Sequence, residues 1–127
     1  MAKITLGKRP QFIEATITAT LPDGTVGSIK ARYKYRTRTE FGQMIDQRMA
    51  EARTEAPAEP ADFSVATMQR QARDANAAYL LDILDGWDLD DDMDIDTATQ
   101  LCDEAPGMAQ ALIDGYRMAV TEGRLGN

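Results

Sequence analysis

Two alternating runs of apolar and polar residues, separated by a turn, constrain the fold of this chain more than any other feature. In residues 12–21, isoleucine, alanine and leucine alternate with one glutamate and three threonines. The turn Pro22-Asp23-Gly24 follows, where Pro presets φ and Gly tolerates a positive φ. In residues 29–36, apolar side chains and tyrosines alternate with Lys and Arg. A period of two is typical of half-buried strands, so the sequence predicts a β-hairpin.

After the hairpin, the apolar spacing changes to steps of three and four residues, which indicates helices. Thr39 is the predicted N-cap of a first helix that runs to about Arg53. Three further helices are predicted: one capped by Asp62 or Ser64 and ended by Asp85-Gly86, one from Asp96 or Thr97 through Cys102, and one from about Pro106 to Glu122. The predicted fold class is therefore α+β, with an N-terminal antiparallel β-hairpin or small sheet followed by a helical part of about four helices.

The predicted core combines inward positions of the hairpin with apolar positions of the helices. Its members are Ile13, Ile17, Ile29, Tyr33, Ile45, Leu80, Leu84, Trp87, Leu101, Leu112, Ile113 and Tyr116. An isolated two-stranded hairpin is only marginally stable in water. Pairing of these N-terminal strands between copies, giving a homo-oligomer, is therefore a further expectation.

Charge divides the chain into two unlike parts. Residues 1–54 carry ten Lys/Arg and five Asp/Glu, a net charge of +5, whereas residues 55–127 carry four and sixteen, a net charge of −12. The predicted organisation is a basic hairpin and first helix (1–54), a Pro/Ala-rich linker (55–62) and an acidic helical region (63–127). Either the two parts attract each other within one molecule, or the acidic part repels nucleic acid and attracts a basic partner.

The composition removes most enzymatic and membrane functions. The chain has no histidine, which is the commonest general base and metal ligand. The single cysteine, Cys102, excludes an internal disulfide, suits a reducing cytosol and lies among carboxylates that suppress thiol reactivity. There is no Gly-rich phosphate loop, no secretory signal and no apolar run near the roughly 20 residues that span a bilayer. We expect no catalytic residue, cofactor or membrane association.

The aspartate-rich run of residues 88–96 is the segment most similar to a metal site. A calcium loop needs alternating oxygen ligands and a glycine at its sixth position. The two possible registers place Met93 or Thr97 there instead. The run is therefore predicted to be an exposed acidic loop without a metal.

A second candidate site is the basic run of the second strand, where Tyr33 and Tyr35 lie between lysines and arginines. Basic residues with interleaved aromatic side chains can bind single-stranded nucleic acid. Strand alternation, however, places the tyrosines on the opposite face from the charges, and the net charge of −7 opposes DNA binding. We therefore predict no nucleic-acid partner, and a solvated Lys/Arg face on an edge strand.

With catalytic, metal and nucleic-acid sites set aside, the apolar faces of the helices are the remaining candidates for a functional site. The chain has seven methionines, which suit either core filling or surfaces that adapt to irregular partners. The predicted partner-binding residues lie on a stripe of the second helix and on part of the last: Val65, Met68, Ala72, Ala75, Tyr79, Met108, Leu112 and Met118.

The order of several short motifs resembles that of phage tail assembly chaperones. In the C-terminal half, Leu84-Asp85-Gly86-Trp87 precedes the acidic loop, and Glu104-Ala105-Pro106-Gly107 precedes a helix with Tyr116-Arg117 and a final Arg124-Leu125-Gly126-Asn127. The hairpin that runs into residues 35–40 agrees with the same family. The likeness covers residues 11–127 apart from the Pro/Ala linker.

This resemblance implies a function that residue spacing alone does not. Such chaperones coat the tape measure protein in the bacterial host cytoplasm and keep it soluble until tail tube proteins replace them, so they are not expected in the mature virion. Two other functions remain open. One is a structural tail component such as a terminator or connector, and the other is an acidic DNA mimic or regulatory binding protein, suggested by residues 88–96.

Overall fold

The computed structural model describes residues 3–55 and 64–124. The described elements are β1 (Phe12–Thr20), β2 (Val26–Lys34), α1 (Arg38–Glu55), α2 (Val65–Ile83), β3 (Leu84–Trp87), α3 (Ile95–Glu104) and α4 (Pro106–Glu122). The predicted linker, residues 55–62, lies outside the described residues except for the last residue of α1. The predicted α+β class is confirmed.

The predicted hairpin is present, with β1 antiparallel to β2 over nine residues each. Ile17 is paired with Ile29, and both side chains are buried. In the turn, the Asp23 carboxylate accepts hydrogen bonds from the hydroxyl and the backbone N–H of Thr25, at 2.6 and 3.0 Å. These bonds hold the pKa of Asp23 below its usual value. Gly24 has a φ of +89°, as the Pro-Asp-Gly turn predicted.

A third strand, β3, joins the other edge of β2. It begins directly after α2 and pairs antiparallel, with Ala31 opposite Trp87, so the sheet order is β1-β2-β3. The sequence predicted only a helix stop here, because a four-residue strand is too short to display a period of two. Asp88 extends the pairing by accepting a 2.9 Å hydrogen bond from the Lys30 N–H. Since the hairpin is not isolated, its own stability no longer requires strand pairing between copies.

The first helix begins earlier than predicted. Thr37, and not Thr39, provides the cap: the Glu40 N–H donates to Thr37 Oγ1 at 3.1 Å, and the Thr37 N–H donates to the Glu40 carboxylate at 2.8 Å. The reciprocal bonds form a capping box, whose spacing of three residues fits Thr37 and excludes Thr39. The pKa of Glu40 is lowered, first by the Thr37 N–H.

A capping box also begins α3, and its cap lies two residues before Asp96, the earlier of the two predicted caps. Asp94 accepts from the Thr97 N–H at 2.9 Å while Thr97 Oγ1 accepts from the Asp94 N–H at 3.0 Å, so Asp94 caps the helix, not Asp96 or Thr97. The last helix has its predicted bounds, and Gly123 ends it with a φ of +69°. Ser64 caps α2, as one of the two predicted alternatives.

The core lies between the inner face of the sheet and α4, with α2 and α3 packed beside it. Tyr33, Leu112 and Tyr116 are completely buried there. The core prediction is confirmed: seven of its twelve residues are buried and the other five pack against them. The buried seven are Ile17, Ile29, Tyr33, Leu80, Leu84, Leu112 and Tyr116.

Candidate partner-binding surface

The first half of α2 presents apolar side chains to solvent. Val65 and Met68 are 71% and 45% exposed, whereas the side chains of α2 that are fully buried begin only at Ala77. The side-chain oxygen of Ser64 accepts a 3.0 Å hydrogen bond from the Thr67 N–H, which fixes the start of the helix. This end of α2 is therefore a capped helix whose apolar residues are not used in the described core.

The predicted stripe of α2 does lie at the surface. Ala72 and Ala75 are exposed and continue the row of Val65 and Met68 toward Tyr79, which is half-buried. The spacing of three and four residues places all five on one face. The structure thus brings together the predicted residues of α2.

The predicted residues of α4 are placed differently. Met108 and Leu112 are buried in the core, because α4 packs directly over the sheet and against α2 and α3. Met118 is half-buried. A partner could reach Met108 and Leu112 only if α4 left the sheet, so their burial assigns them to stability of the monomer.

Met49 of α1 is an exposed apolar residue outside the predicted partner-binding set. It is 53% exposed, whereas Met44 is buried against the core. Five residues of helix correspond to a rotation of roughly 140° from the starting side, so the two methionines cannot share one face. This spacing was the available signal. The term docking surface is used below for Met49, Val65, Met68, Ala72 and Ala75.

Arg48 connects the two helices that carry the docking surface. Its guanidinium donates to the Ala75 carbonyl oxygen at 3.1 Å and lies 4.7 Å from the ring centroid of Tyr79. It also approaches the Asp82 carboxylate at 3.5 Å. One arginine on α1 thus contacts residues on three successive turns of α2 and links the two helices.

Arg36 extends this network to the sheet and to α4. Its guanidinium donates to the Asp82 carboxylate at 3.0 Å and to the Tyr116 hydroxyl at 3.0 Å. The Tyr116 hydroxyl in turn donates to the Lys34 carbonyl oxygen at 2.9 Å. Burial raises the pKa of Tyr116, and Arg36 opposes that shift. The basic run was interpreted as one solvated face, but its last arginine belongs to this internal network.

The remaining basic residues lie on the outer face of β2, which is the central strand of the sheet and not an edge strand as predicted. Lys30 and Arg32 are exposed there, and Arg32 forms a 3.4 Å ion pair with Asp85. Tyr33 points to the opposite side, into the core. The separation of charges and aromatic rings expected from strand alternation is therefore present for Tyr33.

The thiol of Cys102 is buried, and the acidic loop is held by a hydrogen bond of its own. Burial raises the pKa of the Cys102 thiol to about 11, which keeps it protonated near neutral pH. In the loop, the Asp91 carbonyl oxygen accepts a 2.8 Å hydrogen bond from Trp87 Nε1.

Within residues 3–55 and 64–124, no group of three or more Cys, Asp or Glu side chains is arranged to hold a metal ion. None of the helices in those ranges is long and apolar enough to cross a membrane.

Fold and surface together define a class: a small α+β domain whose first two helices leave a row of apolar side chains uncovered. The entire chain, residues 1–127, matches the family model of the phage tail assembly chaperones. The protein belongs to that family, which confirms the resemblance seen in its motifs. No curated protein matches, and neither does any solved structure. A tail assembly chaperone acts on protein partners of the phage tail.

Proposed function

We propose that this chaperone binds the tape measure protein and keeps it soluble in the host cytoplasm while the tail is assembled. The observation that carries the proposal is the docking surface, where Met49, Val65 and Met68 are each 45% or more exposed. A long helical partner with apolar faces would aggregate if those faces stayed in water, and burying them is favourable in proportion to the area covered.

The side chains of the docking surface suit a partner without one fixed sequence. Methionine has three rotatable bonds and a polarizable sulfur, so Met49 and Met68 can adjust to different apolar side chains. Ala72 and Ala75 are small and permit close approach of a second helix. An amphipathic helix laid along α2 would place apolar residues at three- and four-residue steps against them.

Charge supports the chaperone role in a second way. Residues 88–104 carry eight Asp/Glu and no Lys or Arg. None of these eight carboxylates belongs to the docking surface. Mutual repulsion between acidic surfaces keeps coated complexes apart and soluble.

The proposal assigns the contact to α1 and α2. Tyr79 lies at the inner end of the stripe, where Arg48 covers its ring. Met118 is half-buried on α4 and stays a candidate for an accessory contact. Met108 and Leu112 support the surface from within the core.

Release is proposed to follow from competition. Tail tube protein that polymerises around the tape measure protein would cover the same apolar faces and displace the chaperone, which would then be absent from the mature virion. A terminator or connector would instead remain in the particle. Protein composition of purified virions separates these two functions.

Co-expression with the tape measure protein of the same phage tests the proposal directly. We expect the tape measure protein to be insoluble alone and to be soluble and co-purify with the chaperone. If it stays in the pellet at equal expression of both proteins, the proposal is wrong.

A further inference from the structure

A second exposed apolar feature, a cleft between β3 and α3, shares no residue with the docking surface. Its apolar wall consists of Trp87, Leu89, Leu101 and Ala105. The cleft has a volume of about 160 Å³. The cleft is open to solvent, so one aliphatic side chain of an occupant can lie against this apolar wall.

The surroundings of the cleft are strongly acidic. Asp91 and Glu104 line it directly. They belong to residues 88–104, which contain eight carboxylates and no basic side chain. An occupant that brings an apolar side chain into the cleft is therefore favoured when positive charges flank that side chain.

The segment before β1 has this chemistry. Residues 3–10, Lys3-Ile4-Thr5-Leu6-Gly7-Lys8-Arg9-Pro10, hold three basic side chains and no acidic one. Ile4 and Leu6 are 85% and 93% exposed, the highest values among the large apolar side chains of the described residues. Their exposure has no use in the fold of the monomer.

We propose that residues 3–10 of one copy dock in the Trp87–Leu101 cleft of a second copy. Ile4 or Leu6 enters the cleft, and Lys3 and Lys8 face the carboxylates around it. Apolar burial gives the affinity, and the opposite charges give orientation and partner selection.

Three observations favour a second copy over the same molecule. Both the segment and the cleft are open to solvent within one chain, so the segment does not fill its own cleft. Arg9 forms a 3.5 Å ion pair with Glu40 beside the start of α1. The segment leads into β1, whereas Trp87 lies on β3 at the opposite edge of the sheet.

Each copy then offers one donor segment and one acceptor cleft. Reciprocal docking closes a two-fold dimer, in which the same contact is made twice. This contact uses neither α1 nor the first half of α2, so it is independent of the proposed binding of the tape measure protein.

Trp87 provides the readout, because it is the only tryptophan in the chain. We would record sedimentation velocity and tryptophan emission over a concentration series of the whole chain. We expect association together with a shift of emission to shorter wavelength, both weaker at high salt because screening reduces the ionic contribution. A protein that stays monomeric, or that associates with unchanged emission, overturns the proposal.

The donor is tested by the double variant Ile4→Glu/Leu6→Glu. These side chains are exposed, so the fold should be unaffected. The dissociation constant of the dimer should rise by about tenfold or more, because the apolar contact is lost. Val26→Glu is the matched control, since it also places a carboxylate at an exposed apolar position, in the hairpin. Equal association of the double variant and the wild type contradicts the assignment.

Crosslinking separates the second copy from the same molecule. In a Cys102→Ala background shown to fold by circular dichroism, one preparation carries Leu6→Cys and another Gln100→Cys, at a residue that lines the cleft. Oxidation of the mixture should give a disulfide dimer of the two variants. Absence of that dimer overturns the proposal, and so does a chain with both cysteines that closes within the monomer at high dilution.

Discussion

The Tyr33 hydroxyl donates a 2.7 Å hydrogen bond to the carbonyl oxygen of Leu112, which joins the central strand β2 to the middle of α4 inside the core. Both residues are completely buried. The bond explains how a polar atom is accommodated beneath the sheet, and it fixes the register of α4 over the strands. The pKa of Tyr33 is raised well above its usual value, because burial opposes the phenolate.

Removing this hydroxyl should cost stability without changing the surface. For Tyr33→Phe we expect the free energy of unfolding to fall by about 1 kcal/mol, since one buried hydrogen bond is lost while the ring remains. Urea unfolding measures the change. Tyr35→Phe, at a half-buried tyrosine, is the control and should be close to neutral. Equal losses for both variants would contradict the structural role of the Tyr33 bond.

Gly115 permits the close approach of α4 to the sheet. A Cβ at this position would lie 2.8 Å from Ile17 Cδ1 and 3.0 Å from Tyr33 Oη. We expect Gly115→Ala to destabilise the protein by about 1–3 kcal/mol through overpacking, despite the better helix propensity of alanine.

Gly42 of α1 provides the matched comparison for this substitution. It is also helical, but a Cβ there meets no atom within 4 Å. Gly42→Ala should therefore stabilise the protein by about 0.5–1 kcal/mol. Thermal unfolding of the two variants should give shifts of opposite sign. A stabilising Gly115→Ala would show that α4 does not approach the sheet as closely as described.

Glu40 should make a contribution to stability that depends on pH. Its folded-state pKa is lowered by the Thr37 N–H, so the carboxylate form stabilises the folded state. The contribution is complete above the unfolded-state pKa near 4.5 and is lost as pH falls through the lower folded-state value. As pH falls from above 4.5 through the folded-state pKa of Glu40, the difference in unfolding free energy between wild type and Glu40→Gln should therefore shrink. A difference that is unchanged between pH 6 and pH 3 would contradict the capping box.

Cys102 should react slowly in the folded protein. Its pKa of about 11 leaves little thiolate at pH 8, and its side chain is buried between the helices. We expect labelling by iodoacetamide to be slower by an order of magnitude or more than in urea, where the thiol is exposed and its pKa is near 8.5. Similar rates in both conditions would show that the packing around α3 opens readily.

Most of the fold could be predicted from the sequence, because apolar residues recur with the period of a strand or of a helix over long segments. The alternation in residues 12–21 and 29–36 predicted the hairpin, and the apolar spacing of residues 106–122 predicted α4 with its bounds. β3 was missed because four residues have no measurable period and follow a helix without a turn. The caps at Thr37 and Asp94 were missed because several Thr and Asp side chains stood within one turn, and only hydrogen-bond geometry selects among them.

The candidate surface could be predicted only in part. A helix pattern shows which residues share a face, but not which neighbour covers that face. Met108 and Val65 therefore look equivalent in the sequence, although Met108 is buried in the core and Val65 is 71% exposed. Arg36 is similar: strand alternation continues through it, but β2 ends at Lys34 and the chain turns its guanidinium toward Asp82.

Solubility of the co-expressed tape measure protein, compared between surface variants, tests the central claim most directly. The variant Met49→Glu/Val65→Glu/Met68→Glu changes only exposed apolar residues of the docking surface, and Val26→Glu places one glutamate at an exposed apolar position of the hairpin. We expect the tape measure protein to remain soluble and bound with wild type and Val26→Glu, and to pellet with the triple variant, which itself stays folded. Full solubility with the triple variant would contradict binding through α1 and α2.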